Sequence, residues 1–224
     1  MIKKKDLPYE INGDQIQELI KLAKPKPNDV FYDLGSARGR VIIVLARDTN
    51  VKKAIGIEYE RDLHDEARKS ALKKLDKRAL GRTDFWFANM DIADENGDGY
   101  FYNLDDATVV YYGLDEDDTT IKHFAKLFGR KRHVRIITKN LPLVGYESIA
   151  NRANPECWFF LMRNPPKSTR SKKEWARSVL GTDHATMDKV YDYYAAQIAK
   201  QYPNDTKYCR AELLTLRKLV NERF

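Results

Sequence analysis

Cysteine is nearly missing from this chain of 224 residues: Cys157 and Cys209 are its two thiols, and neither has a CxxC partner. No disulfide framework and no structural zinc site is therefore spelled. Long apolar runs are missing too, which excludes a transmembrane helix of the usual 18 or so residues. The opening M-I-K-K-K-D-L has no apolar signal core, so the expectation is a cytoplasmic protein with no membrane partner. His64, His123, His133 and His184 are scattered and take no metal-ligand spacing. Internal repeats and low-complexity segments do not occur. What remains is a mixed apolar and charged chain, long enough for one main domain and an extension.

Glycine is also sparse, 11 in all, so its clustering between Asp33 and Arg40 carries weight. An alternating apolar run reaches Asp33. Gly35, Ala37 and Gly39 then make a turn of small residues, and residues 41–46 continue with a helical apolar face. This spacing predicts strand, tight turn and helix, with backbone N–H groups and a helix N-terminus open to a carboxylate or phosphate. A second buried strand, over residues 53–60, carries Glu58, which stands 19 residues beyond Gly39. An acid there lies beside the end of the first strand and accepts both hydroxyls of a ribose, so a nucleoside-containing ligand is expected. A dinucleotide pyrophosphate needs Gly or Ala at the sixth position counted from Gly35, and Arg40 stands there instead.

Along the rest of the chain, residues 12–23 place Ile16, Leu19, Ile20 and Ala23 at helical spacing, with Asn12 and Gln15 set for a capping box and Pro25 and Pro27 ending the helix. Residues 61–75 read as a helix, 84–91 as a third strand, 107–112 as a fourth, 119–128 as a helix and 133–139 as a fifth strand. That alternation gives a parallel, doubly wound α/β sheet with its ligand at the carboxyl ends of the strands. A weak strand over 143–152 and a strongly apolar one over 157–162 follow, adding an antiparallel pair and making seven strands. Past Pro165 and Pro166 the character changes, and helices over 183–201 and 206–220 predict a helical hairpin. The division is a domain over residues 1–164 and a basic helical extension over 165–224.

The turn after Asp33, Glu58, Ala88-Asn89-Met90 and the late aromatic strand together resemble the class I, seven-strand S-adenosylmethionine (SAM)-dependent methyltransferases, whose fold is Rossmann-like. Within them, D-L-G-S at residues 33–36 and Leu7-Pro8-Tyr9 resemble the non-SET protein-lysine methyltransferases, the disruptor-of-telomeric-silencing histone enzymes and their archaeal relatives, over residues 7–164. The resemblance implies SAM as cofactor, with Tyr9, Asp33, Gly35, Ser36, Ala37 and Gly39 around the methionine half, Glu58 on the ribose, and Asn89 and Met90 at the adenine. Ala37 stands where the family has Gly, and Asn89-Met90 replaces Asp-Phe. Tyr112-Gly113 replaces the Asn-Asn of the eukaryotic enzymes.

The implied reaction is transfer of a methyl group to a lysine amine of a protein, a basic chromatin-type protein being the expected partner. Such a reaction needs alignment, exclusion of water and a neutral amine. An aromatic channel desolvates the amine and attracts its ammonium form. Tyr111, Tyr112, Trp158, Phe159 and Phe160 are the candidates, and strand alternation admits only some of them. The alternatives are an RNA or tRNA methyltransferase and a SAM-binding module without catalysis. Residues 94–105 fit the spelling of a calcium loop, but strands are expected on both sides and a Gly-rich turn accounts for the same residues, so no metal is assigned. Asp115, Glu116, Asp117 and Asp118 complement the dipole of the helix after them, or form an acidic lip.

Charge divides unevenly. Residues 1–164 hold 28 Lys and Arg against 26 acids, while 165–224 hold 12 against 7, out of a total of +7. The extension is thus the expected site of weak nucleic-acid contact or simply a solvated face.

Overall fold

The computed structural model describes residues 10–88, 104, 106–113, 134–139, 152–154, 159–163, 173, 176–177, 184 and 186–201. The first helix, α1 (Gly13–Ala23), opens on the expected capping box: Asn12 Oδ1 accepts from the Gln15 N–H at 2.9 Å, and Gln15 Oε1 accepts from the Asn12 N–H at 3.0 Å. Its apolar stripe of Ile16, Leu19, Leu22 and Ala23 is buried. Lys24, in a left-handed conformation with φ 44°, ends it just before Pro25.

Strand β1 (Val30–Leu34) is buried along its whole length, as a strand covered on both faces must be. The chain continues through α2 (Arg40–Asp48), β2 (Lys53–Glu58), α3 (Arg61–Lys74), a short α4 (Lys77–Leu80), β3 (Thr83–Phe87), β4 (Val109–Tyr112), β5 (Arg135–Lys139), β6 (Arg152–Asn154), β7 (Phe159–Arg163) and α5 (Met187–Gln201). The seven strands form one sheet in the order β3-β2-β1-β4-β5-β7-β6. Strands β1 to β5 run parallel, and β7 is antiparallel to both β5 and β6. The order reverses between β1 and β4, and in such sheets the crevice outside the carboxyl ends at that point receives ligands.

Several boundaries differ from the sequence expectation. Asp76 caps α4 by accepting from the Ala79 N–H at 2.7 Å, so the helix predicted over 61–75 ends at Lys74 and a separate turn follows. Strand β6 spans Arg152–Asn154, starting at the last residue of its predicted stretch and running two beyond it, because the β6–β7 pairing goes from Arg152↔Leu161 to Asn154↔Phe159. Strand β7 begins at Phe159, where its pairing with Lys139 begins. Helix α5 starts at Met187, with the Thr186 hydroxyl accepting from the Lys189 N–H at 3.4 Å. The predicted helices over 119–128 and 206–220, and nearly all of the calcium-like loop, lie outside the described residues.

At the amino ends of the strands, the Asp29 carboxylate collects the Arg135 guanidinium, the Thr108 hydroxyl and the Lys26 N–H. Burial pushes this carboxyl up, but those bonds outweigh it and hold Asp29 below the ordinary carboxylate range. β1, β4 and β5 are thereby tied at one end, leaving their carboxyl ends to the cleft. One core made by α1, α2, Phe31, Val109, Tyr111, Ile137, Phe159 and Leu161 fills one face of the sheet. Among the described residues, no helix is long and apolar enough to cross a membrane.

Candidate functional site

At the carboxyl end of β1 the backbone turns through three left-handed residues, Gly35 (φ 78°), Ala37 (φ 46°) and Gly39 (φ 69°). The N–H groups of this turn are largely spent within the protein, that of Gly39 on the Ser36 carbonyl, which leaves the first turn of α2 to offer donors to a ligand. The Gly35 and Ser36 N–H groups donate to the Ile57 carbonyl at 3.0 and 2.9 Å, which pins the turn to β2. Gly39 lies behind the cleft: a Cβ there would stand 2.4 Å from the Phe85 ring, so only glycine lets the turn lie this close to β3. Helix α2 begins immediately after it with no side-chain cap.

The cleft outside this turn has a volume of about 160 Å³. Asp33, Gly35, Ser36 and Ala37 form one wall; Glu58, Tyr59, Glu60 and Leu63 the second; Tyr111 and Gly113 the third; Glu10 and Ile11 close it from the segment before α1. Glu58 spans the first two walls. Its Oε2 accepts from the Ala37 N–H and its Oε1 from the Glu60 N–H, both at 2.8 Å, and each oxygen keeps a further lone pair for a ligand hydroxyl.

Asp33 is fully buried under the turn. Burial, then the neighbouring charges of Glu58 and Glu10, push its carboxyl up to about 8, so at neutral pH it holds its proton. Glu10 pairs with Arg38 at 3.2 Å and with Arg40 at 3.8 Å, and Arg38 also reaches Glu66 of α3 at 2.9 Å. Glu10 Oε1 and Ser36 Oγ are buried with no hydrogen-bond partner. Four acids around one small concavity favour a ligand group that is cationic and rich in donors.

Of the residues predicted for binding, Asp33, Gly35, Ser36, Ala37 and Glu58 line the cleft, while Tyr9, Asn89 and Met90 lie outside the described residues. Of the predicted aromatic channel, Tyr111 alone among the described side chains reaches the cleft. The register pairs Tyr111 with Asp33 across β1 and β4, and partners in a parallel pair share a face. Two placements need correcting. Tyr112, one residue on, turns to the opposite face and is buried there, 1% exposed. Phe159 is completely buried in the core, its ring edge-on to Tyr111 at 5.9 Å, so it backs Tyr111 and does not touch the cleft. Phe160 stands in β7 opposite Thr138.

Gly113 explains how Tyr111 reaches its place: a Cβ there would lie 2.3 Å from the Tyr111 hydroxyl, so the ring folds back over the glycine. Sequence reasoning missed Glu10, Arg38, Tyr59 and Glu60 as site residues. The signals were the two arginines flanking Gly39 and the aromatic directly after Glu58. Among the described residues, no three His, Cys, Asp or Glu side chains gather to hold a metal.

Comparison with known proteins gives three findings. Residues 8–87 match the family model of the histone methylation protein DOT1. A protein-lysine N-methyltransferase of Saccharolobus islandicus (strain REY15A) is 36% identical over 75 residues, a match that covers 33% of this chain and 44% of that protein. Among solved structures, an RNA methyltransferase from Salinibacter ruber, in complex with S-adenosyl-L-homocysteine, superposes with a TM-score of 0.56 at 19% identity over 72% of this chain and 99% of the other. M. capricolum TrmK, also in complex with S-adenosyl-homocysteine, gives 0.51 at 13% identity over 96% and 100%. The chain has the Rossmann-like fold of class I methyltransferases, and its N-terminal part is similar to a histone-methylating family and to a protein-lysine methyltransferase of which the match spans less than half.

Proposed function

We propose that this chain binds SAM in the cleft at the β1–β4 switch point and transfers its methyl group to the side-chain amine of a lysine in a protein. One observation carries the reading: the left-handed turn Gly35–Gly39 and the Glu58 carboxylate are locked together at 2.8 Å, with the buried Asp33 beneath and the Tyr111 ring opposite. The residues fit such a ligand. The uncapped N-terminus of α2 and Arg40 suit the carboxylate of its amino-acid half, Asp33 and the unpartnered Glu10 oxygen suit its ammonium, and Glu58 suits the ribose hydroxyls. SAM supplies an electrophilic methyl group on a sulfonium. The chain's own residues align, desolvate and accept.

Support for lysine over a nucleic acid comes from the lip. Tyr59 and Glu60, both exposed, present an aromatic ring and a carboxylate at the mouth, which draw an ammonium and repel phosphate. Inside, the ring of Tyr111 excludes water from the approaching amine, which favours its neutral, nucleophilic form. The relative named a protein-lysine N-methyltransferase supports the same class of acceptor, and the RNA methyltransferase from Salinibacter ruber, at 19% identity, shares the fold.

Titration calorimetry with SAM tests the first half: absence of heat at millimolar ligand ends it. For the second, labelled SAM is incubated with cell extract. Label that survives nuclease and is lost to protease is the expected result. Label with the opposite sensitivity establishes an RNA methyltransferase, and SAM binding without label establishes a binding module.

A further inference from the structure

Between Arg68 and Arg82 the chain carries seven Lys and Arg against one acid, Asp76, a net +6 within fifteen residues of a chain whose total is +7. The structure gathers most of this charge in two adjoining elements and leaves it in solvent. Arg68, Lys69, Lys73 and Lys74 project from the second half of α3, and Lys77 and Arg78 from α4, all six exposed. None of the six is matched to an acid among the described residues. Asp76 spends its carboxylate on capping α4, and Arg82, the seventh cation, turns inward to the Ala46 and Thr49 carbonyls.

Helix electrostatics account for part of this. Lys73 and Lys74 lie in the last turn of α3, where cations complement the dipole. Lys77 and Arg78 lie in the single turn of α4, whose dipole is small, and Arg68 and Lys69 have no such reason. Lys69 and Lys73 stand four apart on α3, a like-charge pair that costs the helix about 0.2–0.5 kcal/mol. An uncompensated array of this kind is complementary to a polyanion.

Its position is equally informative. α4 leads through Gly81 and Arg82 into the first residue of β3, which runs parallel to β2. The array therefore sits at the amino ends of the strands, whereas the cleft opens at their carboxyl ends. Leu63 of α3 lines the cleft, and Lys73 is ten residues further along the same helix, about 15 Å at 1.5 Å per residue. A polymer on this surface does not present its own groups to Tyr111. Among the described residues of α3 and α4 the exposed large apolar side chain is Leu72, with no aromatic ring on which unpaired bases would stack, which favours a duplex over a single strand.

We propose that the exposed basic face of α3 and α4 docks the phosphate backbone of a nucleic acid duplex, holding the enzyme on it while the cleft stays free for a different acceptor. This does not rest on the lysine reading, because docking is measured without SAM. Fluorescence anisotropy of the full chain with a labelled 20-base-pair DNA duplex, and with an RNA duplex of the same length, is followed between 50 and 200 mM salt. Micromolar binding at the low end is expected, with a log–log salt slope of about −3 to −5 for four or five phosphate contacts.

The triple variant Lys69→Glu, Lys73→Glu, Lys77→Glu is compared with Lys173→Glu, Arg177→Glu, Lys189→Glu in the extension, which lowers net charge equally. The first is expected to lose at least tenfold in affinity and the second less than threefold, with thermal unfolding and SAM titration unchanged in both. If the glutamates prevent folding, the corresponding Lys→Gln triple at 69, 73 and 77 must flatten the salt slope by about 2 to 3. Equal losses in the two triples, a larger loss in the extension, or duplex binding unaffected by the first triple overturns the proposal. Binding to poly-glutamate with both duplexes inert overturns it in favour of an acidic polypeptide.

Discussion

Asp33→Asn separates what the cleft needs for folding from what it needs for its ligand. With the folded-state carboxyl at about 8 and the unfolded one near 3.8, the folded protein keeps a proton that the unfolded chain releases. Stability is thus fully present below about pH 4, falls as pH rises towards 8, and levels off above it. At about 1.4 kcal/mol per pKa unit, the ceiling on this loss is roughly 6 kcal/mol. A domain has only about 5–15 kcal/mol in all, and water entering an open cleft softens the penalty, so a loss of about 2–4 kcal/mol is expected between pH 5 and 8.5. Asparagine mimics the protonated acid without titrating, and in it that slope should vanish.

Urea unfolding of the two proteins across this pH range reads the difference directly, since every other titrating group is common to both. A ligand ammonium beside Asp33 reverses the sign of its surroundings and expels the proton. Calorimetry at pH 7 in buffers of different ionisation enthalpy should therefore find up to about 0.9 proton released per SAM bound by the natural protein and none by the variant. Asp33→Asn should also bind SAM at least tenfold more weakly. Parallel pH profiles for the two proteins, or a variant less stable than the parent at pH 8, would refute the reasoning.

Three further outcomes follow from the same geometry. Ala37→Gly removes the left-handed strain at φ 46°, about 1–2 kcal/mol, against glycine's extra freedom in the unfolded chain of about 0.4–1 kcal/mol, and a melting curve should rise by about 1 to 3 °C. Glu58→Gln sets an amide N–H against one of the two N–H groups that the carboxylate accepts; urea unfolding should show a cost of about 1–3 kcal/mol, and calorimetry at least tenfold weaker SAM binding. A chain ending at residue 164 should keep SAM affinity within threefold and methylate its natural acceptor poorly, whereas loss of the folded signal in circular dichroism would assign the extension, with its buried Val190, to the core.

The turn, Glu58 and the strand rhythm were legible because each is written locally, in small residues at fixed spacing and in an acid at the end of a predicted strand. The aromatic wall was not. Alternation says that Tyr111 and Tyr112 face opposite ways, but which of them meets the cleft is set by the pairing of Tyr111 with Asp33, 78 residues earlier. The same holds for Phe159, whose place behind Tyr111 follows from its register with Lys139 across an antiparallel pair. The Glu10–Arg38–Glu66 chain joins three segments, each pair 28 residues apart, and no single stretch announces it. The proton on Asp33 depends on burial beneath two other acids, a property of the folded cleft alone.

Charge shows the limit of summing over a sequence. Residues 1–164 balance almost to zero, and on that sum the extension looked like the basic part. The fold sorts the same charges instead: Glu10, Asp33, Glu58 and Glu60 at the carboxyl ends of the strands, and the six exposed cations of α3 and α4 at the amino ends. The separation along α3, about 15 Å, is close to twice the Debye length of about 8 Å at physiological ionic strength, so the two fields act almost independently. A lysine-rich protein already lying on a nucleic acid would meet both at once, its ammonium drawn to the cleft and its polyanion to the far face. Saturating duplex should accordingly leave SAM affinity within about twofold of its value without duplex, while raising the rate of methylation only for acceptors that themselves bind the duplex. An equal rise for a free lysine peptide would mean that docking alters the cleft, and the two ends could no longer be treated as separate.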